Sequence, residues 1–138
     1  IGPDTRIIGI SCGDPLGLGM NSTTMVGISG GKIEPQRSFQ KLVRRIRRLR
    51  RAATGAKVVV GGPGAWQLAA NEGAKRRAGI DHVVTGYCEG NIGRLLAELA
   101  DDRDMPEMLH GEGVPADQIP PILAPAAIWI PLRRGLFK

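Results

Sequence analysis

The chain has 138 residues, enough for one domain with a core of its own and too few for two comfortable ones. Aromatic residues make up only 4%, so that core has to be built from Val, Ile, Leu and Ala. The net charge of +6 invites a nucleic-acid reading, but six of the 19 basic residues fall within Arg44–Arg51, so the charge is a local feature rather than a coat.

Arg6-Ile7-Ile8-Gly9-Ile10-Ser11 is a short β-branched run closed by Cys12-Gly13-Asp14-Pro15, and reads as a buried parallel strand. Gly13 to Gly19 is too glycine-rich for helix or central strand and is expected to be a loop. Thr23–Ser29 reads as a second strand-like run, closed by Gly30-Gly31. Ser38 offers an N-cap for a long amphipathic helix, with Phe39, Leu42, Val43, Ile46 and Leu49 at the spacing of one face and Gly55 as its stop.

Ala56 to Gly61 predicts a central strand, and Ala65 to Arg77 a helix ended by Ala78-Gly79. Ile80 to Gly86 predicts the next strand, and Asn91 to Leu99 a helix with Ile92, Leu95, Leu96 and Leu99 on one face. Strands alternating with helices imply right-handed βαβ units, hence an α/β fold with a parallel sheet and helices on both faces. Only three of the strands are well marked. A fourth is expected from the second Gly-Ile-Ser run, from a partner chain, or from residues before Ile1.

After Ala100 the composition changes. Residues 1–104 are read as the α/β domain and 105–138 as a proline-punctuated tail, containing Pro106, Pro115, Pro120, Pro121, Pro125 and Pro131. The stretch 122–137 is apolar, with Ile128, Trp129, Ile130, Leu132, Leu136 and Phe137, and is expected to dock on this domain, on a second copy, or on another chain. Cys12 and Cys88 do not make a disulfide framework, so a reducing, cytoplasmic setting is the default expectation. No apolar run of about 18 residues is present, so no membrane association is expected.

Three loops fall at the carboxyl edge of the expected sheet, where open α/β sheets bind ligands. The first follows Ser11 and contains Cys12 and Asp14; the second is Gly61-Gly62-Pro63-Gly64; the third is Gly86-Tyr87-Cys88-Glu89. Gly61–Gly64 is either a ligand-cradling loop or a plain tight turn, and it matches neither a Walker A nor a Gly-x-Gly-x-x-Gly pattern. Asp14 is either a ligand contact or part of an Asp-Pro turn, and Glu89 either caps the next helix or faces a ligand. His82 and His110 lack a second metal-type ligand at useful spacing and read as structural. The Arg44–Arg51 run reads as a solvated helix face, with RNA or an acidic partner as the functional alternative. The lack of interleaved aromatics weakens the RNA reading.

Ile7-Ile8-Gly9-Ile10-Ser11, Lys57-Val58-Val59-Val60-Gly61-Gly62-Pro63-Gly64-Ala65 and Gly79-Ile80-Asp81-His82-Val83-Val84-Thr85-Gly86, in this order and spacing, resemble the cobalamin-binding domain of cobalamin-dependent radical SAM proteins. Tyr87-Cys88-Glu89 stands where that family usually has Glu-Gly-Glu. Gln118-Ile119-Pro120-Pro121-Ile122 is similar to the linker into the radical SAM barrel. The resemblance implies a three-layer, flavodoxin-like (Rossmann-like) sheet binding cobalamin at its carboxyl edge. Ser11, Cys12, Asp14, Gly61, Gly62, Pro63 and Gly64 would line that site, with Gly86, Tyr87 and Glu89 at its border.

It also implies that the family's first strands precede Ile1, so that the chain is the C-terminal part of an incomplete domain. No Cys-x-x-x-Cys-x-x-Cys follows the Ile-Pro-Pro-Ile segment, so no radical SAM iron–sulfur cluster is expected in this chain. The Asp-x-His-x-x-Gly motif that supplies a histidine ligand to cobalt is absent as well. The functional expectation is a corrinoid-binding domain without catalysis of its own; the alternative is an α/β interaction or oligomerisation module that has lost the cofactor.

Overall fold

A computed structural model describes residues 2–50 and 55–119. The expected docking segment 122–137, the Pro120-Pro121-Ile122 part of the linker-like stretch and Arg51 lie outside the described residues.

The described residues form a four-stranded, all-parallel sheet in the order β1 (Ile7–Ser11), β2 (Lys57–Gly61), β3 (His82–Thr85), β4 (Met108–His110). Ile8 pairs with Val58, Val60 with Val83, and Val84 with Leu109. Strand alternation then sorts the side chains into two cores. Ile8, Ile10, Val58, Val60 and Val83 share one face with Phe39, Val43, Ile46 and Leu68. Val59, Val84 and Leu109 share the other with Leu95 and Leu99. Helices α2 (Glu34–Leu49), α3 (Ala65–Ala69) and α4 (Glu72–Ala78) thus cover one face, and α5 (Ile92–Ala100) covers the opposite one. The α/β, three-layer expectation holds.

Several elements differ from expectation. Thr23–Ser29 is not a strand: it lies in helix α1 (Met20–Ser29). The hydroxyls of Thr23 and Thr24 both donate to the Met20 carbonyl, and Gly30 closes the helix in the left-handed region at φ 65°. Threonine's strand preference yields here because the hydroxyls satisfy themselves on the preceding turn. The fourth strand is supplied instead by Met108–His110, inside the stretch read as a proline tail. Its amide and carbonyl groups complete the ladder of β3, so the sheet continues past Asp104.

Ser38 does not cap α2. The helix starts a turn earlier, with Glu34 and Pro35 in its first turn, where a carboxylate meets the positive end of the helix and proline's missing N–H costs nothing. Ser38 donates to Glu34 Oε1 at 2.8 Å from within the helix. The run expected as one helix from Ala65 to Arg77 is two, because Asn71 breaks it and caps α4 by accepting from the Ala74 amide at 2.9 Å. Gly79 ends α4 in the left-handed region, as its position after Ala78 suggests.

Candidate functional site

The carboxyl ends of the strands carry two pairs of interlocked loops. In the first, the loop after β1 lies against the loop after β2. Cys12 N donates to Gly61 O at 3.0 Å and Gly64 N to Cys12 O at 2.8 Å. The approach is so close that a Cβ on Gly64 would overlap the Gly13 carbonyl and sit 2.6 Å from Pro15 Cδ. A Cβ on Gly62, which adopts φ +90°, would sit 2.8 Å from Ser11 Oγ. Two glycines of Gly61-Gly62-Pro63-Gly64 are therefore explained by another part of this chain, not by a ligand.

The loop after β1 is itself held from inside. Gln67, only 1% exposed, donates to Asp14 Oδ1 at 2.7 Å and accepts from the Leu16 amide at 2.9 Å. Asp14 Oδ1 also accepts from the amides of Leu18 and Gly19. Its Oδ2 is buried and meets no partner in hydrogen-bonding geometry among the described residues, although the Ser22 hydroxyl is near enough to favour the charge. Burial pushes the Asp14 carboxyl up, but the nearby Ser22 hydroxyl and the hydrogen bonds from Gln67, Gly19 and Leu18 outweigh it and hold it below its ordinary range. Asp14 is thus the organiser of an inward-facing turn. Next to it, burial, and secondarily the Asp14 charge, push the Cys12 thiol up to about 11.

In the second pair, the loop after β3 lies against the segment that follows β4. Gly90 N donates to Glu112 O, and Gly111 N to Thr85 O. A Cβ on Gly111 would overlap the Tyr87 carbonyl and come within 2.9 Å of Cys88 Cβ. Asn91, only 4% exposed, clamps the two by donating to His110 O and accepting from Glu112 N, both at 3.0 Å. Asn91 is the N-cap residue of α5 without a side-chain capping bond to that helix, and Glu89 is not the cap either.

Between the two pairs lies a cleft of about 430 Å³. Its origin is topological. The chain leaving β2 turns toward the α3 face and the chain leaving β3 toward the α5 face, so the connections diverge and open a crevice over adjacent strands. Gly62, Pro63 and Trp66 form one wall, and Thr85, Gly86, Tyr87 and Glu89 the other. Trp66 is 51% and Tyr87 80% exposed, although a chain this poor in aromatics would be expected to spend them on its core. Its lining is mainly apolar, and its volume falls within the roughly 300–1,000 Å³ usual for small-molecule sites.

Of the residues expected at the site, Gly62, Pro63, Gly86, Tyr87 and Glu89 line this cleft. Ser11, Cys12, Asp14, Gly61 and Gly64 do not; they build the interlocked loops beside it. Trp66 and Cys88 line it without having been singled out as contacts. Trp66 lies in the first turn of α3, within the helix the sequence predicts from Ala65. His82 is buried, with Nδ1 at 2.9 Å from the Pro106 carbonyl. His110 ends β4 beside Thr85, at 3.2 Å from its hydroxyl, a placement that was hidden as long as β4 was. Among the described residues, no three His, Cys, Asp or Glu side chains gather as metal ligands, and no helix is long and apolar enough to cross a membrane.

No family model, curated protein or solved structure matches the chain.

Proposed function

We propose that the chain is a cofactor-binding domain whose cleft at the carboxyl ends of β2 and β3 takes a cofactor with a flat ring face, a cobalamin-type corrinoid first. One observation carries the proposal: Trp66 and Tyr87 stand exposed on opposite walls of a crevice that the divergence of two βα connections creates. Exposed aromatic walls offer a flat partner dispersion and stacking that water cannot replace. Gly62 and Gly86 line the cleft with backbone alone, both in the left-handed region.

The lining chemistry fits a corrinoid held by its ring face and side groups. Trp66 and Pro63 would meet the apolar surface, and the Thr85 hydroxyl and nearby backbone amides would meet the polar periphery. No imidazole is among the described residues lining the cleft, so the proposal gives cobalt no protein ligand. A bound corrinoid would supply alkyl transfer or one-electron chemistry at cobalt. The chain's own part is to bind, orient and shield it, within a radical SAM-like protein whose cluster lies on other residues. Incubation with hydroxocobalamin followed by desalting tests this. A retained corrinoid spectrum at near-equimolar ratio, lost in Trp66→Ala, is expected; no retained spectrum would sink the cofactor reading in favour of an interaction module.

A further inference from the structure

On the α2 face, away from the cleft, a groove of about 540 Å³ runs between α2, α4 and the loop after β1. Its floor is apolar: Leu16, Phe39, Val43, Ala74 and Ala78. Its rim is cationic, with Lys32, Arg44, Arg47 and Arg77, and no Asp or Glu lines it. None of these four cations meets a carboxylate among the described residues, a property they share with Arg45 and Arg48 on the same helix; Lys32 donates to Gln40 Oε1 and Arg47 to the Arg77 carbonyl. Arg44, Arg45, Arg47 and Arg48 are all exposed, as a solvated helix face requires, and the groove takes part of that face. Arg44 and Arg47 belong to a groove, while Arg45 and Arg48 lie outside it.

We infer that this groove docks an acidic segment of a partner protein that carries apolar side chains between its carboxylates. Length points to a chain segment. Along α2 the lining runs from Gln36 to Arg47, roughly 16 Å at the helical rise per residue, which suits an extended or helical stretch better than a compact anion. Chemistry points away from RNA, since Phe39, the aromatic residue in the lining, is buried as floor and offers no stacking face. Charge also excludes the protein's own C-terminal segment as the natural complement: residues 120–138 contain no Asp or Glu and three basic residues, Arg133, Arg134 and Lys138. Apolar floor, cationic rim without carboxylates and elongated shape together define the partner's pattern.

Panning a random peptide library displayed on phage against the full chain tests the inference. Sequences in which Asp or Glu flank Leu, Ile or Phe are expected to be enriched. The leading peptide, synthesised with a fluorophore, should bind saturably by anisotropy. Arg44→Glu with Arg77→Glu should weaken it by about tenfold or more, whereas Arg45→Glu with Arg48→Glu, the same charge change on α2 outside the groove, should not. Circular dichroism verifies folding, and Arg44→Gln with Arg77→Gln replaces the reversal pair if that pair unfolds. Enrichment without acidic bias, equal loss in the outer-face pair, or tighter binding of a single-stranded RNA than of the peptide would each overturn it.

Discussion

Gly64→Ala probes whether the glycine-rich turn after β2 is shaped by this chain or by a ligand. Gly64 has φ −95° and ψ 0°, a conformation open to alanine, so any effect is steric. The added methyl would overlap the Gly13 carbonyl and press on Pro15 Cδ at 2.6 Å, and neither ring nor backbone can rotate away as a flexible side chain would. Relief requires the two loops to part, at an overpacking cost of about 1–3 kcal/mol. Parting them also strains the Gly64 N to Cys12 O hydrogen bond, worth about 1 kcal/mol. The expected loss is therefore about 2–4 kcal/mol in urea unfolding followed by circular dichroism. Gly9→Ala in β1, whose methyl would enter open space, serves as the control and should stay within about 0.5 kcal/mol of the parent chain. If Gly64→Ala were as mild as Gly9→Ala, the loops would not be interlocked as described. If it kept full stability and lost only corrinoid binding, the turn would be a ligand cradle after all.

Other expectations follow from the same neighbourhood. With the Cys12 thiol raised from 9.0 to about 11, its alkylation by iodoacetamide near pH 8 should run about 100-fold slower in the folded chain than in urea, as mass spectrometry of the labelled peptide would show; equal rates would contradict its burial. The sign for stability follows: the folded state holds this proton more tightly, so the contribution is complete below about pH 9 and is lost as the pH rises toward about 11. The Asp14 carboxyl is held low, so its contribution is present above its ordinary range and lost as the pH falls through its lowered value. Asp14→Asn should flatten that acid limb of the stability curve, and an unchanged limb would refute the role given to the turn. Asn71→Ala removes the cap of α4 and should cost about 1 kcal/mol in the same urea assay, restored in large part by Asn71→Asp.

The strands were legible wherever β-branched residues run together, because Val58, Val59 and Val60 face two cores at once and polar alternation is not needed. β4 was not, since Met108-Leu109-His110 is short, carries a proline two residues upstream and relies on β3 for its ladder. The carboxyl edge as the location of a site was readable from the strand–loop order alone. Which residues line it was not, because lining depends on the face toward which each connection departs. Asp14 and Gly64, conspicuous in sequence, are conspicuous for reasons internal to the fold. Trp66 was legible as helix, which it is, but not as a wall of the cleft. The arginine run was legible as a helix face, while its division between groove and outer surface needed the packing of α4 against α2.

The central claim is that the Trp66–Tyr87 cleft holds a corrinoid, and it is most directly tested by fluorescence of Trp66 in a Trp129→Phe chain titrated with hydroxocobalamin, corrected for absorption with free tryptophan. Saturable quenching at near-equimolar ratio, weakened by Tyr87→Ala, is the predicted result. Quenching no greater than that of free tryptophan at every concentration would contradict it.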